Sequence, residues 1–135
     1  MADMFTKKKR SEIMSLIRAK NTGIEKEVFA HLRKNKIYFQ RHYSKAVGKP
    51  DIALPSRKLA VFLDGDFWHG YQFVKWRRRI PKEYWRLKIA SNIARDSRNR
   101  RALRRQGWVV LRIWSHELAT RPEQTLTKIV RFLRS

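Results

Sequence analysis

The chain has no cysteine, which excludes disulfides, thiolate zinc sites and cysteine nucleophiles. It has no apolar run approaching the roughly 18 residues that span a bilayer, and no secretory signal core at its start. Nothing in it reads as an internal repeat or as a Gly/Ser- or Pro-rich linker. Acids are scarce: 11 Asp and Glu stand against 33 Lys and Arg, a formal net charge of +22. With so few carboxylates, the position of each one carries information.

That charge opposes compaction by self-repulsion and calls for a counterpart. A polyanion is the simplest, and nucleic acid comes ahead of an anionic membrane surface. Apolar residues make up 42% of the chain, enough for a packed core and too many for a disordered tail. Its 135 residues suit one domain. A soluble protein is expected, and the lack of cysteine fits a cytoplasmic one.

Lys7 to Arg18 reads as a basic helical segment with Ile13, Met14 and Ile17 on one side. Thr22-Gly23-Ile24-Glu25 matches a capping box, so a helix should start there, with Ile24, Val28, Phe29 and Leu32 as its apolar stripe. Ile37–His42 is a strand candidate, and Lys49-Pro50 separates it from a short strand at Asp51–Leu54. Pro55–Lys58 is a turn. Leu59–Leu63 is an unbroken apolar run, as expected of a strand covered on both faces, and Asp64-Gly65 ends it. Asp66–Ile80 has no clear period. Pro81 suits the first position of a long helix, on which Trp85, Ile89, Ile93, Asp96, Arg100 and Leu103 share a face; Gly107 stops it. Trp108–Trp114 is the last strand. Pro122–Leu133 is a terminal helix with Leu126, Ile129 and Leu133 facing inward. The alternation predicts an α/β fold: one mixed sheet flanked by helices.

Asp51 opens one strand and Asp64 closes the next. If the two strands pair as a hairpin, both carboxylates meet at one end of the sheet. Their repulsion is costly unless a cation lies between them, and oxygen ligands suit Mg²⁺. The competing reading is two separate turn acids. Asp96 lies on a core-facing stripe, where a carboxylate must be paired or used; neighbouring arginines could pair it. Glu25 is accounted for by the capping box alone. His69, five residues after Asp64 in a loop, could take a proton from water near neutrality. His31 reads as an ordinary helix residue, and the sequence does not decide the roles of His42 and His116.

Phe67 and Trp68 place two large aromatics side by side straight after a strand. They read either as a wedge that enters a base step or as a loop anchor folded onto the core. Trp76, Tyr84 and Trp85 read as packing residues. Lys75, Arg77, Arg78 and Arg79, with Arg95, Arg98 and the rest of the Arg95–Arg105 run, supply phosphate-binding charge. Together they predict strongly salt-dependent binding, but neither specificity nor catalysis.

Six stretches, in this order, resemble the very-short-patch-repair (Vsr) endonucleases: RSEIM at Arg10–Met14, NTGIEK at Asn21–Lys26, GKPDIAL at Gly48–Leu54, FLDGDFWHG at Phe62–Gly70, YWRLKIASNIARD at Tyr84–Asp96 and GWVVLRIW at Gly107–Trp114. The resemblance implies a restriction-endonuclease-like αβββαβ core of the PD-(D/E)xK type, with added N- and C-terminal helices, in one nuclease domain over residues 1–135 whose first 20 residues contact DNA. It implies a nick beside a T·G mismatch in duplex DNA. Asp51 and the backbone carbonyl of Leu63 would hold Mg²⁺, with two ions in all, and Asp64 would line the metal site. His69 would activate the attacking water, Glu25 and Asp96 would orient waters or His69, and Phe67, Trp68 and Met14 would intercalate.

Mismatch-repair proteins become expected partners, the protein is expected to be a monomer, and its place the cytoplasm and nucleoid of a bacterial or phage-like host. Phe62 and Asp64 stand where the wider superfamily has an acid and a lysine, so the lysine's role must pass to His69 and the metal ions. The structural Zn²⁺ held by many members is not expected without cysteine, although Asp66, His69 and His116 could form part of such a site; packing of Tyr71 and Phe73 would replace it. Two other classes stay in play: a restriction- or homing-type nuclease acting on a matched site, and a non-enzymatic architectural DNA-binding protein.

Overall fold

The computed structural model describes residues 23–65 and 83–135. The basic segment at the start of the chain and the loop from Asp66 to Ile80 lie outside those residues, as do Met14, Phe67, Trp68, His69, Lys75, Arg77, Arg78 and Arg79. The elements are α1 (residues 23–34), β1 (Gln40–Arg41), β2 (Ile52–Leu54), a 3₁₀ turn (Pro55–Arg57), β3 (Leu59–Asp64), α2 (Glu83–Arg105), β4 (Val109–Trp114), α3 (Ser115–Thr120) and α4 (Pro122–Arg134).

The four strands lie in the order β1-β2-β3-β4. β1, β2 and β3 form an antiparallel meander and β4 runs parallel to β3. A parallel neighbour needs a long crossover, and α2 supplies it. This mixed sheet with flanking helices is a restriction-endonuclease-like core, as expected. No helix among the described residues is long and apolar enough to cross a membrane.

The register explains the two faces of the sheet. Ile52, Val61 and Leu111 are neighbours across three strands, as are Leu54, Leu59 and Val109. This face carries Ile52, Leu59, Val61 and Ile113 into a core with Val28, Phe29 and Leu32 of α1, Leu118 of α3, and Ile129 and Leu133 of α4. Strand side chains alternate, so the opposite face carries Ala53, Ala60, Phe62, Asp64, Arg112 and Trp114. Ala53 and Ala60 are fully buried there, with side chains too short to hold a helix away. α2 lies on this side, with Ile89 and Leu103 fully buried and Asp96 near Arg112. The face that receives α2 is also the one that carries the charged strand residues.

Two local differences from the sequence expectation have physical causes. The strand expected over Ile37–His42 is only Gln40–Arg41, because the end of α1 takes up its first residues. The Ile37 N–H returns to the Leu32 carbonyl at 3.0 Å over a left-handed Lys36, a Schellman-type closure. α2 ends the same way: the Trp108 N–H reaches the Leu103 carbonyl at 3.0 Å across Gly107 at φ 91°. The second difference is the short helix α3, which lies where no element was expected between the last strand and the terminal helix. Glu117 starts it by accepting the Trp114 N–H at 3.2 Å.

Ile113 is fully buried on β4, whereas Val109 on the same strand is 55% exposed. Ile113→Ala is expected to cost about 2–5 kcal/mol of unfolding free energy, and Val109→Ala less than about 1 kcal/mol. Urea melts of both variants check this ordering.

Candidate active site

β2 and β3 do pair as a hairpin, so the start of one lies beside the end of the other. Continuing their register past Ile52↔Val61 places Pro50 opposite Leu63. Pro50 has no N–H, and its carbonyl is already used by the Tyr43 N–H at 2.9 Å. The Leu63 N–H is instead accepted by Asp51 Oδ2 at 2.7 Å. In an extended strand a residue's N–H and C=O face the same side, so the Leu63 carbonyl also faces this edge and cannot receive an N–H from Pro50.

The turn before Pro50 is tight. Gly48 has φ 80°, and a Cβ there would lie 3.1 Å from Asn99 Cβ and 3.4 Å from the Phe62 ring. Glycine thus lets the Gly48–Asp51 segment close against α2. The result is a cleft of about 320 Å³, whose lining includes Glu25, Asp51, Leu63, Asp64, Asp96 and Arg95. Five of these six were singled out from the sequence for their side chains, and Leu63 for its carbonyl.

The acids in the cleft are not equivalent. Asp64 is buried and accepts a hydrogen bond from Arg112 Nε. Arg112 Nη2 stands 3.9 Å from Asp96 Oδ2, and the guanidinium lies 4.0 Å over the Trp114 ring. One arginine thus serves two carboxylates and is held flat by an indole, a geometry lysine cannot reproduce. Burial lowers the Arg100 pKa, with the Arg112 charge adding to it and Asp64 and Asp96 opposing it.

Asp51 has different company. Its Oδ1 is 4.0 Å from His42 Nε2, which is 3.2 Å from Glu25 Oε1. The Asp51 carboxyl is pushed up from 3.8 to about 7. Burial is the main cause and the negative charges of Glu25 and Asp64 add to it, while the Leu63 N–H and His42 pull the other way. A carboxylate disfavoured in this way is what a divalent cation would stabilise. Among the described residues, Glu25, His42 and Asp51 form a group able to hold a metal ion, with one donor atom from each lying within 4.8 Å of the others.

Arg112, Lys49 and Asn99 were not among the residues expected at the site, Arg100 was expected only as part of the Arg95–Arg105 phosphate-binding run, and the role of His42 was left open. Arg112 had a signal: it is the one charge in the apolar run VVLRIW. His42 had none until the register was known, because its N–H pairs with the Asp51 carbonyl at 3.0 Å from a separate strand. Arg98 is exposed on α2 and is not part of the cleft lining.

Residues 2–75 match the family described as DNA mismatch endonuclease Vsr. The chain belongs to that family. It is 39% identical to the type II nicking enzyme V.XorIIP of Xanthomonas oryzae pv. oryzae, over 88% of each chain. It is 34% identical to the type II nicking enzyme V.NmeAIP of Neisseria meningitidis, over 99% of this chain and 98% of that one. It is 32% identical to the DNA mismatch endonuclease Vsr of Escherichia coli, over 94% of this chain and 81% of that one. As a member of the family, the protein is a DNA endonuclease.

The Asp51 shift has a testable sign. In the metal-free protein the native carboxyl keeps its proton up to about pH 7, while the unfolded one loses it near 3.9. The native state therefore binds more protons between these values, and stability falls as pH rises through this window. Asp51→Asn removes that loss. In EDTA its melting temperature relative to wild type is expected to climb between pH 5 and pH 8, by roughly several degrees. A difference that stays flat with pH would contradict the environment assigned to Asp51.

Proposed function

We propose that the protein is a Mg²⁺-dependent endonuclease that nicks one strand of duplex DNA beside a T·G mismatch. The observation that carries this is the position of Asp51: raised in pKa, bonded to the Leu63 N–H, and set in a cleft that also holds Lys49, Arg95 and Arg100. Carboxylates alone would repel a phosphodiester; cations on the same rim admit it. An architectural binder gains nothing from four acids in such a place. The Escherichia coli relative is named a mismatch endonuclease and the other two are named nicking enzymes, which supports a single-strand cut over a double-strand break.

In this reading the donor set of Asp51, the Leu63 carbonyl and Glu25 would hold the cation, with Asp64 lining the site and room for a second ion. A bound divalent ion supplies Lewis-acid activation of water and neutralises charge on the phosphate and the leaving oxygen. Lys49, Arg95 and Arg100 hold the scissile phosphate. His69 takes the proton of the attacking water. Asp96, tied through Arg112 to Asp64, fixes the wall of α2 facing the reaction. Phe67, Trp68 and Met14 enter the base stack, where unstacking costs least at an already weakened pair. Lys75, Arg77, Arg78, Arg79 and Arg98 extend the phosphate-binding surface.

The same reading takes residues 1–135 as one nuclease domain, with residues 1–20 contacting DNA. It acts as a monomer with mismatch-repair proteins in the bacterial or phage-like cytoplasm and nucleoid, without the structural zinc.

With Mg²⁺ and a T·G duplex, Asp51→Ala is expected to lower the nicking rate at least about 10²-fold, the scale of several kcal/mol of charge stabilisation. Full activity in that variant would end the proposal, and equal cutting of matched duplex would redirect it to a matched-site nuclease. Trp68→Ala is expected to lower the ratio of T·G to matched cleavage more than it lowers affinity for matched DNA. An unchanged ratio in competition assays would remove the wedge.

A further inference from the structure

His42 is held more firmly than an incidental surface histidine. The ladder between β1 and β2 is irregular at this point: His42 and Tyr43 donate consecutively to the Asp51 and Pro50 carbonyls, at 3.0 and 2.9 Å. Two consecutive donors on one side mark a bulge-like kink, a device that re-aims a side chain. His42 itself adopts φ 45°. Its ring meets the Phe29 ring edge-on, with centroids 6.0 Å apart, while Glu25 faces its Nε2. Glu25 and Phe29 are one helical turn apart on α1, so one helix face both packs the ring and addresses its nitrogen.

Ligands about 2.1 Å from an octahedral ion stand about 3.0 Å apart when adjacent and about 4.2 Å apart when opposite. The Nε2 separations of 3.2 Å to Glu25 and 4.0 Å to Asp51 fall within that range. On the far side of Asp51, Asp64 is already engaged by Arg112. Among the described ion pairs, Glu25 and Asp51 meet only through His42. The acid charge still calling for a cation therefore lies on the α1 side, around the imidazole.

We infer that His42 Nε2 is a direct ligand of the cation, alongside Asp51 and Glu25, and that this nitrogen makes the site bind a first-row transition ion such as Mn²⁺ more tightly than the Mg²⁺ with which the enzyme is proposed to work. Mg²⁺ favours a shell of oxygens and gives up water reluctantly, whereas imidazole nitrogen favours transition ions. The inference rests on the reading that Asp51 binds a divalent ion, and adds the nitrogen donor and the metal preference it brings.

The test uses the full chain freed of metal with EDTA, titrated with Mn²⁺ alone and Mg²⁺ alone by calorimetry, and pulsed electron paramagnetic resonance of the Mn²⁺ form. His42→Asn is the informative variant, because asparagine tolerates the left-handed backbone and the His42 side chain is 46% exposed, so folding is retained. Wild type and His69→Ala are expected to show ¹⁴N coupling from an imidazole, and His42→Asn to lose it. The ratio of Mn²⁺ to Mg²⁺ affinity is expected to fall roughly tenfold in His42→Asn. Coupling that persists in His42→Asn, or Mn²⁺ binding that needs Asp51 yet shows no nitrogen coupling, overturns the inference and leaves Asp51 as the metal residue. Binding unaffected by Asp51→Asn overturns both.

Discussion

Pro50 cannot extend the β2–β3 ladder, and Leu63 opposite it would otherwise hold a backbone N–H with no partner. Such a group is costly when water is excluded. Asp51 satisfies it with a side-chain oxygen, and the rest of the site depends on that bond. It places a carboxylate at the end of the sheet, where α1, the kink after β1 and α2 converge. The hydrogen bond that completes the fold locally is also the one that aims the acid.

Around that point the charges are divided by geometry. Arg112 approaches from β4, parallel to β3, and neutralises Asp64 while standing near Asp96. Trp114 holds its guanidinium in place. Removing one partner of such a buried pair would leave an uncompensated charge, which makes this side of the cleft a fixed wall. Asp51 and Glu25 receive no guanidinium among the described ion pairs; they receive an imidazole. Burial therefore outweighs the opposing pull of the Leu63 N–H and His42 on Asp51, and Glu25, His42 and Asp51 form a group with the donors to hold a metal ion. In a protein of net charge +22, four acids meeting in one cleft is a concentration that binding a polyanion alone does not call for.

Much of the architecture was legible because it depends on short-range patterns. The apolar run at Leu59–Leu63 became the strand β3, with a neighbour on each side. Pro122 opened α4, with Ile129 and Leu133 buried. Gly107 ended α2 with a positive φ. The pairing of Asp51 with the end of β3 was also readable, since two adjacent strands joined by a short turn have few alternatives. Glu25 was legible from local residue chemistry as a capping residue, and as a site residue only through the family resemblance. Its carboxylate in fact faces His42, seventeen positions away in sequence.

Local sequence patterns determined most of the elements and the mixed sheet, and the resemblance of the motifs pointed to the family and to the acids that share a cleft. Each of these rests on periodicity, turn chemistry or motifs that lie within a few residues of one another. The tertiary structure decided which acid meets a guanidinium and which meets an imidazole. That choice depends on a parallel strand from the far end of the chain bringing Arg112 to Asp64, and on a kinked strand edge turning His42 toward Asp51. Register between distant segments sets both, and a Coulomb interaction over 3–4 Å changes completely when register slips by one residue.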